Sequence, residues 1–150
     1  MVQIPPPLFF QKRGKMKQHA VLVLKHKDKI LFVKRSMKKS TLPGIWAFPS
    51  GTTEKGEEVY DTIKREALEE LNVEVKTEKI FAEILLPEFS VRLIFVLCTI
   101  KSGNPTIKEP NEIDRFEWMS FPEFFERFSD NEIGHGLIWL RKNPEIWKSI

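Results

Sequence analysis

The sequence predicts an α+β fold, an α/β/α sandwich in which helices cover both faces of a mixed β-sheet. Six short apolar runs have the spacing or composition of strands, a central segment has helical spacing, and the tail returns to that spacing. With 150 residues, 41% of them hydrophobic, one well-packed core is expected rather than two domains.

The strands of the first half are separated by polar or turn-forming residues. Residues 19–24 and 29–34 are strand-like, and the polar stretch 25–28 between them is able to turn a hairpin. After the turn-rich segment 40–44, residues 46–51 alternate aromatic and small side chains and predict one further short strand.

A helix is predicted from Glu57 to Leu71, because apolar residues recur there every four positions. This stripe consists of Val59, Ile63, Ala67 and Leu71. Asn72 suits the helix end, since asparagine tolerates the left-handed conformation common beyond a last turn. Three further strands and one or two helices follow, at residues 73–86, 89–100, 113–119, 121–128 and 133–140.

The amino terminus does not follow this pattern. Residues 1–17, with three consecutive prolines and a basic patch, predict an extended arm, and residues 18–150 predict a single domain. The apolar residues of the arm, Leu8 to Phe10, offer material for contact with a second copy, which leaves a homodimer open.

Composition limits the classes of partner. The formal charge of +3 does not call for a nucleic-acid polymer, whereas a small polyanionic substrate fits it well. Cys98, the only cysteine, lies in an apolar run and is expected to be a buried strand thiol. No apolar run has the length of a membrane span and no leader pattern is visible, so a cytoplasmic location is expected.

Three carboxylates share one face of the predicted central helix. Glu66, Glu69 and Glu70 stand at i, i+3 and i+4, and neither Lys64 nor Arg65 is three or four positions from all of them. The cluster is therefore expected to lack a compensating cation, and a divalent metal is a natural remedy. Magnesium prefers such oxygen ligands and commonly bridges carboxylates to phosphates. The alternative is a solvated acidic face.

The segment Gly51 to Val73 closely resembles the Nudix box. Its matching positions are Gly51, Glu57, Arg65, Glu66, Ala67, Glu69, Glu70 and Val73. The departures are Asn72, where the family usually has glycine, and Ser50, where it often has a further glycine. The resemblance, to MutT-like Nudix hydrolases, implies a Nudix-type sandwich that cleaves a diphosphate bond in a nucleotide-like substrate.

The resemblance also implies roles for particular residues. Glu66, Glu69, Glu70 and the carbonyl of Gly51 would ligate Mg²⁺, with Mn²⁺ as a substitute, and Glu66 or another acid would accept the proton of the attacking water. Arg65 would orient these acids by hydrogen bonding, and Glu57 would support the site electrostatically. Glu112 is the candidate general base outside the box, and Glu109 competes with it.

The substrate is less closely indicated than the bond. As substrates, nucleoside triphosphates and ADP-ribose are ranked together, and sugar nucleotides are ranked behind them. Pro87 lies near the position where family members that cleave ADP-ribose often have a proline, which is a weak hint toward ADP-ribose. Isoprenoid diphosphate chemistry is disfavoured because Cys98 is expected in the core. Two alternatives stay open, namely a non-catalytic Nudix sensor of a nucleotide metabolite and an RNA 5′-end-processing hydrolase that uses the basic arm.

Overall fold

The computed structural model describes residues 16–150. Its strands are β1 (Lys17–His26), β2 (Lys29–Arg35), β3 (Trp46–Ala47), β4 (Ser50–Thr52), β5 (Glu74–Leu86), β6 (Val91–Ser102) and β7 (Ile113–Met119). Its helices are α1 (Val59–Leu71), α2 (Phe121–Arg127), α3 (His135–Lys142) and α4 (Pro144–Trp147). None of these helices is long and apolar enough to cross a membrane.

The predicted arm falls mostly outside the described part of the chain. Residues 1–15, including the apolar run proposed for a homodimer contact, lie outside the described residues. The boundary predicted at residue 18 falls inside β1, because Lys17 is already its first residue and donates its backbone N–H to the carbonyl of Ser90 at 3.0 Å.

Strand β1 organises the sheet because both of its edges are paired. It runs parallel to β6 along one edge and antiparallel to β2 and β4 along the other. The sheet is therefore mixed, as the sequence predicts, with the order β3-β2-β1-β6-β5 and with β7 paired to β2. The turn of the β1–β2 hairpin needs only Lys27 and Asp28, and Lys27 adopts φ +57°.

The segment 46–51 is two strands rather than the single strand predicted. Strand β3 pairs with β2, whereas β4 pairs with β1, so the chain passes from one part of the sheet to another. Pro49 lies at the break, where it cannot donate to a ladder. Its carbonyl still accepts the N–H of Leu22 at 2.9 Å. This step brings Gly51 beside helix α1.

Alternation along the strands divides the core into two layers. One layer lies under α1 and takes Ala20, Leu22, Leu24, Ile94, Val96 and Cys98 from β1 and β6, with Ile63, Ala67 and Leu71 from the helix. The opposite layer takes Val21, Val23 and Phe95 from the same strands, with Phe124, Leu137, Leu140 and Ile146 from α2, α3 and α4. The predicted α/β/α sandwich is confirmed.

Local signals at the ends of elements are mostly confirmed. Asn72 ends α1 in the left-handed conformation, with φ +57°, and its N–H reaches the carbonyls of Ala67 and Leu68. The helix predicted from Ile133 begins only at His135, because Ile133 is extended and bridges to Trp46. Cys98 is fully buried, and this burial raises the pKa of its thiol to about 12.

Candidate functional site

Helix α1 presents different chemistry on its two sides. Ile63, Ala67 and Leu71 are fully buried against the sheet. Glu66 and Glu70, one turn apart, both reach the wall of a cavity of about 400 Å³ between the helix and the sheet. The same helix therefore fixes itself by one face and holds two carboxylates toward the cavity by another.

Two further glutamates reach this cavity from the loop between β6 and β7, residues 103–112, here called the late loop. Glu109 and Glu112 line the cavity opposite Glu70. The loop is held there because it caps the end of α1. The backbone N–H of Thr106 donates to the carbonyl of Leu71 at 2.9 Å, and that of Lys108 donates to the backbone carbonyl of Glu70 at 3.1 Å. We call this space the acidic cavity.

Burial in the acidic cavity disfavours the charged form of Glu70. Glu70 is only 8% exposed, and its Oε2 atom has no hydrogen-bond partner among the described residues. Desolvation by burial, followed by the charge of Glu66, raises the pKa of Glu70 to about 9. Burial also raises the pKa of Glu66. A proton shared by the two carboxylates, or a cation that both of them coordinate, stabilises such a pair.

Arg65 forms hydrogen bonds with several glutamates of the box. Its guanidinium donates to both oxygens of Glu57, at 2.7 and 3.1 Å, and to the carbonyl of Thr52 at 3.2 Å. It also donates to Glu66 and Glu69, each at 3.1 Å. Its hydrogen bond lowers the pKa of Glu57 to about 2. The expectation that the helix face has no compensating cation is therefore wrong for Glu66 and Glu69.

Gly51 is required for a steric reason. It lies inside β4, opposite Ala20 of β1. A Cβ atom at Gly51 would stand 2.2 Å from Oε2 and 2.3 Å from Cδ of Glu66. The side chain of Glu66 therefore occupies the space that any other residue at position 51 would fill.

The structure brings only part of the predicted site together. Gly51, Glu66, Glu70 and Glu112 line the acidic cavity, whereas Arg65, Glu57 and Glu69 lie outside its lining. Within residues 16–150, no three His, Cys, Asp or Glu side chains are gathered into a group that could hold a metal. Arg65 holds the half-exposed carboxylate of Glu69 at 3.1 Å.

A second, mostly apolar cavity of about 570 Å³ adjoins the first. Both cavities are lined by His19, Arg35, Thr41, Phe48 and Ser50. Among residues 16–150, no Asp or Glu side chain lines the second cavity, which we call the apolar cavity. Phe89 stands at its wall, 53% exposed, with its ring centroid 5.0 Å from that of His135.

Sequence reasoning missed the cations of the site. Arg35 and Lys39 both line the acidic cavity, and Lys39 forms an ion pair with Glu112 at 2.6 Å. The available signal was the position of Arg35 at the end of β2 and of Lys39 directly before the turn-rich segment 40–44. Polar residues at the end of a strand commonly reach a site.

Comparison with known proteins agrees with the fold and the box. The model of the NUDIX domain matches residues 16–138. Nudix hydrolase 2 of Arabidopsis thaliana is 28% identical over 108 residues, which are 70% of this chain and 39% of that protein. The chain thus spans well under half the length of this relative.

One further relative and one solved structure are also similar to this chain. The 8-oxo-dGTP diphosphatase of Buchnera aphidicola subsp. Acyrthosiphon pisum (strain APS) is 33% identical over 81 residues, which are 53% of this chain and 62% of that protein. The crystal structure of a MutT protein from Methanosarcina mazei Go1 superposes with a TM-score of 0.69 at 16% identity, covering 89% of this chain and 93% of that one. This last likeness shows the fold.

Proposed function

Because the chain belongs to the NUDIX domain family, we propose that it hydrolyses a diphosphate bond in a nucleotide-like substrate such as a nucleoside triphosphate or ADP-ribose. The observation that carries this proposal is the pair Glu66 and Glu70 in the lining of a cavity of about 400 Å³, where Glu70 is buried and Glu66 is partly buried against Gly51. Two neighbouring carboxylates that are withdrawn from water are unfavourable for folding unless one of them holds a proton or both contact a cation.

We propose Mg²⁺ as that cation, with Mn²⁺ as a substitute. Nudix hydrolases generally need divalent metal ions. The residues fit, because Glu70 has a buried oxygen without a partner in the described chain and the neighbouring groups are carboxylates, the hard oxygen ligands that Mg²⁺ prefers. Glu66, Glu70 and the carbonyl of Gly51 would hold the ion from the lining of the cavity, and Glu69 would join them by exchanging its contact with Arg65 for the ion. When bound, it would neutralise charge on the diphosphate oxygens.

The other residues of the box would position these ligands. Arg65 fixes Glu66 and Glu69 relative to β4, since one guanidinium contacts both acids and the carbonyl of Thr52. Glu57 holds Arg65 through a two-oxygen contact. The role of Glu57 is thus to orient Arg65.

The chemical step needs a base for the attacking water. The water oxygen attacks phosphorus, the bridging P–O bond breaks, and a carboxylate takes the proton. Glu112 is our candidate because its side chain lines the acidic cavity and is 46% exposed, so that water can reach it. Glu109 lines the same wall and remains its competitor, and Glu66 is the alternative within the box.

The apolar cavity supports a substrate whose diphosphate carries an apolar or aromatic group. It opens beside the acidic cavity and has the volume expected of a small-molecule pocket. Phe48 and Phe89 offer rings against which a base could pack. A nucleotide fits this arrangement, because its phosphates would bind in the acidic cavity and its base in the apolar cavity.

The proposal is tested by product release from nucleoside triphosphates, ADP-ribose, sugar nucleotides and inorganic tripolyphosphate, with Mg²⁺, with Mn²⁺ and with chelator. We expect metal-dependent turnover that favours nucleotides over tripolyphosphate and falls at least about a hundredfold in Glu69→Gln. Glu126→Gln, on an exposed face of α2, is the matched control and should behave as wild type.

Two results would contradict this assignment. Turnover that persists in the presence of chelator would remove the metal from the proposal. Tight nucleotide binding with no turnover of any substrate in the panel would favour the non-catalytic sensor instead.

Arg65→Lys should separate positioning from mere charge. Lysine keeps the positive charge but loses the planar fork, so it cannot hold Glu57, Thr52, Glu66 and Glu69 together. We expect turnover to fall about 10- to 100-fold and the free energy of unfolding to fall by about 1–3 kcal/mol. Steady-state kinetics and urea unfolding measure the two effects.

A control arginine shows whether this loss is specific. Arg127 on α2 donates to Glu117 at 3.0 Å, away from both cavities. Arg127→Lys should keep wild-type turnover. Equal turnover in Arg65→Lys and wild type would show that charge alone suffices at position 65.

A further inference from the structure

Two loops are tied together over the acidic cavity. The first comprises residues 36–45, between β2 and β3, and is here called the early loop; the second is the late loop. The backbone N–H of Ser36 donates to the carbonyl of Glu112 at 3.0 Å, and Lys38 Nζ donates to Asn111 Oδ1 at 3.4 Å. Lys39 Nζ lies 2.6 Å from Glu112 Oε2. The last contact is the one that lines the cavity.

Among the described residues, two basic side chains of the Lys or Arg type line that cavity, Arg35 and Lys39. They differ in their hydrogen-bond partners. Arg35 donates to the carbonyls of Thr41 and Leu42 and to the Thr41 hydroxyl, so it holds the early loop in shape. Lys39 has the side chain of Glu112 as its ion-pair partner in the described chain. Lys39 is therefore the cation that can change partners without unfolding its own loop.

Breaking the ion pair between Lys39 and Glu112 requires little free energy. The two side chains are 25% and 46% exposed, and solvent-exposed pairs of this kind contribute little to stability. A phosphate oxygen is a strong acceptor for an ammonium, and a diphosphate brings more charge than one carboxylate. An arriving diphosphate also enters a cavity that already holds four glutamates, so a cation at its wall lowers the repulsion.

We propose that Lys39 binds a phosphate oxygen of the substrate and exchanges Glu112 for it, which frees the Glu112 carboxylate to face the attacking water. This inference rests on the proposed function, because it takes a diphosphate as the ligand of the acidic cavity. It makes Lys39 a substrate-binding residue, and it explains why the candidate base is ion-paired before substrate arrives.

The first test is binding of methylenediphosphonate, a diphosphate that cannot be hydrolysed, measured by calorimetry with Mg²⁺. We expect Lys39→Met to weaken binding about tenfold or more and Lys39→Arg to restore it to within about threefold of wild type. Glu112→Gln should bind as tightly as wild type or more tightly, because it removes the competitor of the phosphate. Lys29→Met, which breaks the remote ion pair with Glu123, is the matched control.

The second test is kinetic and uses the best substrate of the panel. Lys39→Met should raise KM about tenfold with a smaller change in kcat, whereas Glu112→Gln should lower kcat without raising KM. Thermal unfolding should be nearly unchanged in both variants, as expected for an exposed ion pair.

Several outcomes would overturn the exchange. These are unchanged binding in Lys39→Met, equal weakening in Lys39→Met and Glu112→Gln, and failure of the wild type to bind methylenediphosphonate. A chain that hydrolyses nothing but still binds methylenediphosphonate through Lys39 would support the exchange while refuting the proposed activity. The two failures are therefore distinguishable.

Discussion

Glu70→Gln should make the metal-free protein more stable at alkaline pH and at the same time remove its metal-dependent turnover. Glutamine has the shape of a protonated glutamate, so it fits a position where burial raises the pKa of the carboxyl to about 9. It cannot supply a charged oxygen to a cation. We expect turnover to fall on the order of a thousandfold, because a lost metal ligand removes several kcal/mol of transition-state stabilisation.

The pH dependence of this stabilisation has a definite sign. The folded chain holds the Glu70 proton up to about pH 9, whereas the unfolded chain releases it near the ordinary value of 4.5. Stability from this group is therefore present below pH 4.5 and is lost as pH rises toward 9. The loss is at most about 1.4 kcal/mol per pH unit for one proton.

Urea unfolding with chelator at pH 6 and pH 8.5 measures the effect. Wild type should lose stability between these values, and Glu70→Gln should lose distinctly less, since it has no proton to release at this position. Added Mg²⁺ should raise the Tm of wild type but not that of the variant. A variant that is less stable than wild type at both pH values would show that the Glu70 carboxylate stabilises the fold.

Gly51→Ala should disable the site from a position that carries no functional group. The new Cβ would stand 2.2 Å from Oε2 of Glu66, so the carboxylate must move or β4 must shift. We expect turnover to fall about a hundredfold or more, because displacements near 1 Å are costly in catalysis. Forcing extra volume into this packed position should lower stability by about 1–3 kcal/mol.

A double-mutant comparison isolates the cause. In a Glu66→Ala background the space beside position 51 is vacated, so adding Gly51→Ala should cost little further stability. Gly56→Asn is the control, because no described residue other than its chain neighbours has an atom within 4 Å of a Cβ built there, and asparagine tolerates its positive φ. Equal stability costs in the two backgrounds would refute the clash with Glu66.

Much of the fold could be predicted because it depends on local periodicity. The bounds of β7, Ile113–Met119, follow its apolar run. Helix α1 spans its apolar stripe from Val59 to Leu71 and ends, as predicted, before Asn72. The break at Pro49 was not predicted, because alternation continues through it while the pairing partner changes. Partner choice is a property of the whole sheet.

The site was predictable only where it lies on one helix. Spacing alone places Glu66 and Glu70 on one side of α1, and both line the acidic cavity. Glu109 and Lys39 join them from loops positioned by backbone hydrogen bonds, such as that from Lys108 N–H to the Glu70 carbonyl. Backbone donors are the same for almost every residue type, so such contacts leave no mark on the sequence.

The two-sided character of α1 limits which insertions and deletions the gene can accept. Each residue added to a helix turns everything beyond it by about 100°. One extra residue between Ile63 and Glu66 would swing the carboxylates toward the sheet and carry the apolar stripe into water. Insertions and deletions should therefore be found in the segments that connect the elements. The number of residues between Gly51 and Asn72 should stay constant in related sequences that retain the activity.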